Sequence, residues 1–344
     1  MKYNEKKNKI FVSVSPGFYK KKLFSELKKF INIKVIYTTS YDESSRNSDF
    51  MQGELNYPYV KLSGSTLKQF WQVIKIVLKQ DYDEFIVGDY TSICSWAHIF
   101  FSPRKKNSVI VESTYRETKI KGWRVLLKRF FFSRVSKAYV CGTPHAKLTR
   151  MFGFKGENVI WHSVGLFNCL PQPGYVPRQS VKKFLFVGRL IPEKNLEWLI
   201  RKFEQHTDLQ LDIVGFGKLE GRLNACIHTD NIKMHGAVNN KELSNYYRQA
   251  DVFILPSLTE TWGLVVEEAL SNGTPVMLSH MVGCADDLVI PGKTGVIFNL
   301  NDDLDFECRL REILDVDKYN DMRKYISTLD FLKRELKVVE AFIN

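Results

Sequence analysis

Cysteine is sparse and scattered. Cys94, Cys141, Cys169, Cys226, Cys284 and Cys308 never fall at C-x-x-C spacing. That argues against a zinc site or a disulfide framework and fits a reducing compartment. H-E-x-x-H and G-x-S-x-G are both missing, so neither a zinc-hydrolase nor a serine-nucleophile mechanism has a basis. Long hydrophobic runs are missing too: no apolar stretch approaches the roughly 18–20 residues of a membrane span. The N-terminus is basic, but its apolar stretch runs only from Ile10 to Val14. A signal-peptide core needs roughly 7–15 residues, so this reads as a first buried strand, and the expected location is cytoplasmic.

Acidic residues are scarce in the first half. Residues 1–178 carry 30 Lys and Arg against 13 Asp and Glu, a balance of +17. Residues 179–344 carry 20 against 25, a balance of −5. One basic half suggests a face that meets an anionic partner: nucleic acid, an anionic membrane surface or a phosphorylated substrate. A lysine-rich surface also serves solubility alone.

At 344 residues with 44% hydrophobic content, the chain has material for two domains, each with its own core. Short apolar runs alternate with helical patterns. In the first half the predicted strands are 9–15, 34–39, 84–89, 108–112, 138–142 and 158–162. In the second they are 182–187, 209–214, 232–235, 251–255, 274–278 and 295–298. Apolar strands alternating with helices predict parallel sheets covered on both faces, an α/β, doubly wound architecture. Pro171, Pro173, Gly174 and Pro177 interrupt the pattern and mark a linker. The expected division is 1–170, a linker at 171–181, 182–327, and a last helix over 328–344 that crosses back to the first domain. Two such domains make a cleft, and open α/β sheets bind ligands at the carboxyl ends of their strands.

Chemistry-bearing residues cluster in the second half. Gly188 and Arg189 follow a predicted strand, and Lys194 comes five residues after Arg189. A forked guanidinium and a compact ammonium suit a pyrophosphate; they also suit an ordinary solvated loop. Glu260 lies in a strand-exit loop and Glu268 on the helix after Gly263. Carboxylates accept hydrogen bonds from vicinal sugar hydroxyls, and a helix N-terminus offers free N–H groups to phosphate. The plain alternative is a pair of surface glutamates, with Glu267 as a bystander favouring the helix start. Gly215 and Gly217 end a strand, but the full G-x-G-x-x-G is absent and a tight turn is the simpler reading. Asp81-Tyr82-Asp83 has D-x-D form but precedes a strand, so it reads as a turn and not as a metal site.

The ordered set Gly188-Arg189, Pro192-Glu193-Lys194-Asn195, Val214-Gly215-Phe216-Gly217, His235-Gly236, Ala250-Asp251-Val252, Pro256-Ser257, Glu260 through Glu268-Ala269, and Gly273-Thr274-Pro275-Val276 resembles the GT-B retaining glycosyltransferases of family 4, the group 1 domain. The resemblance covers most of residues 182–300. In the first half Ser15-Pro16-Gly17-Phe18-Tyr19 and Leu23-Phe24 resemble only the opening loop of members that build bacterial surface polysaccharides. The resemblance implies a GT-B fold, two Rossmann-like domains facing across a cleft. It implies transfer of a hexosyl-type sugar from a UDP- or GDP-type nucleotide sugar to a lipid-linked or oligosaccharide acceptor in lipopolysaccharide or capsule synthesis, without metal or cofactor. By the same resemblance Arg189 and Lys194 would hold the diphosphate and Glu268 the ribose. Glu260, with the backbone of Thr261, Trp262, Gly263 and Leu264, would hold the sugar. Gly17 would approach the phosphates from the first domain. Many members carry a histidine after a first-domain strand; here Glu112 stands at that point, a candidate catalytic residue that departs from the pattern.

The stretch Lys121–Phe132 mixes cations with bulky apolar residues. It reads either as a helix on an anionic membrane or as one packing its apolar stripe on the sheet with its basic side solvated. Three other functions share some features: a sugar-nucleotide epimerase of the same fold, a basic nucleic-acid binder, and a dead sugar-binding module. No basic-aromatic RNA motif or zinc finger supports nucleic acid as a partner.

Overall fold

A computed structural model describes residues 6–14, 16–38, 53–167 and 169–344. The expected strand ends at Ser15 and Thr39 lie outside the described residues. The chain divides into two compact units, residues 1–167 with 335–344 and residues 168–334.

In the first unit the order is β1 (Asn8–Ser13), α1 (Phe18–Leu27), β2 (Asn32–Tyr37), β3 (Tyr59–Lys61), α2 (Thr66–Lys79), β4 (Glu84–Val87), α3 (Ile93–Phe101), β5 (Asn107–Val111), α4 (Arg124–Ser133), β6 (Lys137–Val140), α5 (Thr143–Met151) and β7 (Glu157–Ile160). The strands pair in parallel in the order β3-β2-β1-β4-β5-β6-β7. Their apolar side chains and those of α2 to α5 form one core that includes Val12, Val73, Phe85, Ala97, Val109, Phe131 and Leu148. Asp83 Oδ2 accepts from the Asn8 amide at 2.8 Å, so the D-x-D segment is a turn between α2 and β4.

The second unit runs β8 (Lys183–Val187), α6 (Leu196–Glu204), β9 (Gln210–Val214), α7 (Glu220–Ala225), β10 (Ile232–Gly236), α8 (Leu243–Gln249), β11 (Val252–Leu255), α9 (Leu264–Ser271), β12 (Val276–Ser279), α10 (Ala285–Leu288), β13 (Gly295–Phe298), α11 (Asp303–Leu314) and α12 (Val316–Ile326). Its parallel sheet is ordered β10-β9-β8-β11-β12-β13. This is the doubly wound arrangement, and its order reverses between β8 and β11.

The proline-rich window is tied to the second unit. The Gln172 amide donates to the carbonyls of Leu270 at 3.1 Å and Ile326 at 2.8 Å. The last helix, α13 (Phe331–Ile343), begins in the second unit and continues in the first from Glu335. There Phe342 stacks on Tyr139 with ring centroids 4.4 Å apart, and Glu335 pairs with Lys22 at 3.2 Å.

Candidate functional site

The strand-exit loops of the second unit are sewn together by backbone bonds. The Gly188 amide donates to Val214 O at 3.0 Å, Leu190 to Phe216 O at 2.8 Å, and Gly215 to Gly236 O at 2.8 Å. Gly215 has φ 150°, and a Cβ there would stand 1.8 Å from the Gly188 carbonyl oxygen. A glycine at 215 is therefore what lets two backbones touch, a tighter role than a simple turn.

After β8 the chain enters a 3-10 turn, Pro192–Lys194, and Asn195 follows at φ 56° to start α6. Leu258 N donates to Glu193 O at 2.8 Å, which ties this turn to the loop after β11. Across that seam the Lys194 ammonium pairs with the Glu260 carboxylate, both side chains being largely buried. The Lys194 Cε lies 3.8 Å from where a Gly188 Cβ would stand, and the Glu260 Cγ lies 3.4 Å from the same point at Gly263. Gly215, Gly188, Lys194, Glu260 and Gly263 thus form one continuous line of contacts. It sits at the carboxyl ends of β8 and β11, where the sheet reverses its order.

The loop from Glu260 to Gly263 rests on a second loop. Gly283 N donates to Glu260 O at 2.8 Å and Cys284 N to Trp262 O at 3.0 Å. A Cβ on Gly283 would meet Thr261 O at 1.8 Å, so that position too demands glycine. Gly263, at φ 99°, is the residue from which α9 starts, with Leu264 first in the helix.

The two adjacent glutamates of α9 do different work. Glu267 is not a surface bystander: it is buried, accepts from the Trp262 indole N–H at 2.7 Å and faces Arg334 Nε at 3.6 Å. Trp262 is itself buried, so its side chain supports the loop from within. Glu268 is half-buried and accepts from the Tyr247 hydroxyl at 2.8 Å. Burial pushes its carboxyl up to about 7, the Tyr247 hydrogen bond acting against this and the Glu267 charge adding to it.

Arg189 is exposed, and among the described residues its guanidinium joins no ion pair, which leaves it free to meet an anion. Gly17 and Glu112 belong to the first unit. Gly17, at φ −58°, precedes α1 and accepts from the Lys20 and Lys21 amides at 3.0 Å. Glu112, just past β5, pairs with the Lys20 ammonium at 2.8 Å. Burial alone lowers the affinity of that ammonium for its proton, but Glu112 more than offsets it and holds Lys20 charged above the usual range. Lys20 and Tyr247 were not singled out by the sequence. Lys20 sits in a run of three lysines and Tyr247 in an unremarkable helix, so no spacing flagged either. Among the described residues no cluster of His, Cys, Asp and Glu is arranged to hold a metal ion.

Residues 175–328 match the family profile of glycosyl transferases group 1. Over 134 residues the chain is 36% identical to sulfoquinovosyl transferase SQD2 of Arabidopsis thaliana, covering 38% of this chain and 26% of that protein. The chain thus spans about a third or less of the curated relatives it first matches. Its structure is similar to the lipopolysaccharide outer core galactosyltransferase WaaB in apo form, with TM-score 0.73 and 15% identity over 97% of this chain and 98% of that one. It is similar also to Anabaena HepE in complex with UDP and glucose, with TM-score 0.68 and 14% identity over 98% and 99%. At these identities the structures establish the fold, which is GT-B.

Proposed function

We propose that the chain, whose residues 175–328 match the glycosyl transferases group 1 profile, moves a sugar from a nucleotide-diphosphate sugar, of UDP or GDP type, to a saccharide or lipid-linked acceptor. The observation that carries this reading is the Lys194–Glu260 pair at the switch point of the second sheet, beside glycine loops, with Arg189 exposed after the same strand. One carboxylate fixes a cation where a diphosphate is expected, and that carboxylate stands beside the start of a helix.

The chemistry follows from charge. Breaking the sugar–phosphate bond leaves negative charge on the departing diphosphate. Lys194 and Arg189 stabilise that charge as it grows, so they bind the transition state more tightly than the ground state. The amides at the start of α9 add their dipoles. Glu260 orients Lys194 and accepts from hydroxyls of the donor sugar. Glu268 accepts from the ribose hydroxyls, with Tyr247 holding its carboxylate in place. Glu112, fixed by Lys20, stands at the strand ends of the first unit, where it is suited to accept from an acceptor hydroxyl. Retention of configuration, independence of metal, a hexosyl donor and a cytoplasmic role in surface polysaccharide synthesis complete the reading. The capsule or lipopolysaccharide setting is supported by the first-half resemblance and by the lipopolysaccharide role in the name of WaaB.

The test is product analysis on a panel of nucleotide sugars, with and without oligosaccharide acceptors. Transfer to acceptor with release of nucleoside diphosphate is expected. Conversion of the sugar nucleotide without any acceptor would instead identify an epimerase of the same fold.

A further inference from the structure

Helix α4 carries two apolar faces. Val125, Phe131 and Phe132 are buried in the core of the first unit. On another side Trp123, Leu126, Leu127 and Phe130 are 67%, 64%, 46% and 46% exposed. Their spacing, i, i+3, i+4, i+7, is that of a single helical stripe. A helix that covers a sheet needs one such stripe, and the second is not explained by folding. The sequence offered a packed helix or a membrane helix as alternatives; this helix does the packing with one face and keeps another free.

The stripe extends onto α3. The Phe130 ring lies 6.1 Å from that of Phe100 and 6.4 Å from that of Trp96, and Phe100 is 53% exposed. Cations border it. Lys121, Arg124 and Arg129 are exposed on α4 or just before it, and the Arg124 guanidinium sits 5.7 Å from the Trp123 ring centroid. Arg104 and Lys105 are exposed in the turn after α3. Residues 118–156 hold ten Lys and Arg and no Asp or Glu, and residues 90–111 hold no acid either. An apolar centre with a purely cationic border matches an anionic bilayer: the stripe enters the acyl boundary, the cations meet headgroups, and a tryptophan sits at the interface. A second copy would set cations against cations, and Leu126 and Leu127 offer nothing to a nucleic-acid backbone.

We propose that the α3–α4 face docks on an anionic membrane by inserting Trp123, Leu126, Leu127 and Phe130 among the lipids. A lipid-linked acceptor gives such a surface its purpose, and in that respect the inference rests on the function proposed above.

The experiment is flotation of the full chain with phosphatidylcholine vesicles, with and without phosphatidylglycerol, for wild type, Leu126→Ser/Phe130→Ser and Arg124→Glu/Arg129→Glu. Both pairs are exposed, and circular dichroism checks the fold. Expected is flotation on anionic vesicles only, reduced at least tenfold in each variant, with the wild type keeping part of its binding at high salt. Equal flotation on neutral and anionic vesicles, or unchanged flotation in the Leu126→Ser/Phe130→Ser variant, overturns the proposal. So does a wild-type dimer, or an RNA gel shift, that the variant abolishes while vesicles are ignored. Transfer to a soluble oligosaccharide is measured alongside. Lost flotation with wild-type transfer confines the effect to the surface; absent transfer by a vesicle-bound wild type counts against the functional reading alone.

Discussion

Lys194 and Glu260, 66 residues apart in sequence, form a largely buried ion pair across the two strands between which the second sheet reverses its order. Each sits on a loop fixed by backbone bonds to its neighbours, and both side chains are largely buried. A cation held this way needs little reorganisation when negative charge develops beside it, which is the condition for strong electrostatic catalysis.

Replacing Lys194 by Met should lower kcat/KM for transfer by about 10²–10³, the usual cost of one such donor. It also leaves the Glu260 carboxylate buried without a partner, at a cost of about 1–3 kcal/mol in stability. The double variant Lys194→Met/Glu260→Gln should recover most of the stability and none of the transfer. Steady-state kinetics and thermal melts on the same preparations separate the two effects.

Arg189→Ala should abolish most transfer and leave the melting temperature unchanged, because the side chain is exposed and unpaired among the described residues. Near-wild-type turnover in this variant would remove Arg189 from the site.

Glu268 predicts a pH dependence. Its carboxyl titrates near 7 in the folded chain against an ordinary 4.5. Below 7 it is protonated and a weaker acceptor for ribose hydroxyls, so KM for the nucleotide sugar should fall as pH rises through about 7. Glu268→Gln should flatten that limb. For stability the sign is opposite: the folded state binds this proton more tightly, so the contribution of Glu268 is fully favourable below its unfolded value and is lost as pH rises through about 7. Melting curves of wild type and Glu268→Gln across this range check it.

Glu267→Ala leaves the buried Trp262 indole N–H without its acceptor. A loss of about 1–3 kcal/mol is expected, or several degrees of melting temperature. Glu267→Gln keeps an acceptor and should lose less.

Much of this was legible in the sequence because period and punctuation agree. Apolar strands after helices gave both parallel sheets, and Gly188, Lys194, Glu260 and Gly263 stood at strand ends where open sheets bind ligands. The sequence could not place Glu267, since adjacent helical glutamates look alike until one is seen under Trp262. It could not find Lys20 among three lysines. Nor could it separate the two apolar faces of α4, which overlap in a stretch where nearly every residue is cationic or bulky.

The central claim is that Lys194, held by Glu260, grips the diphosphate of a nucleotide sugar. Calorimetric titration of the purified chain with UDP, and with GDP, tests it most directly. One nucleotide should bind per chain with an affinity that falls at least tenfold in Lys194→Met, while that variant's circular dichroism stays native. Equal affinity in wild type and variant, or no binding of either nucleotide by the wild type, would contradict the account.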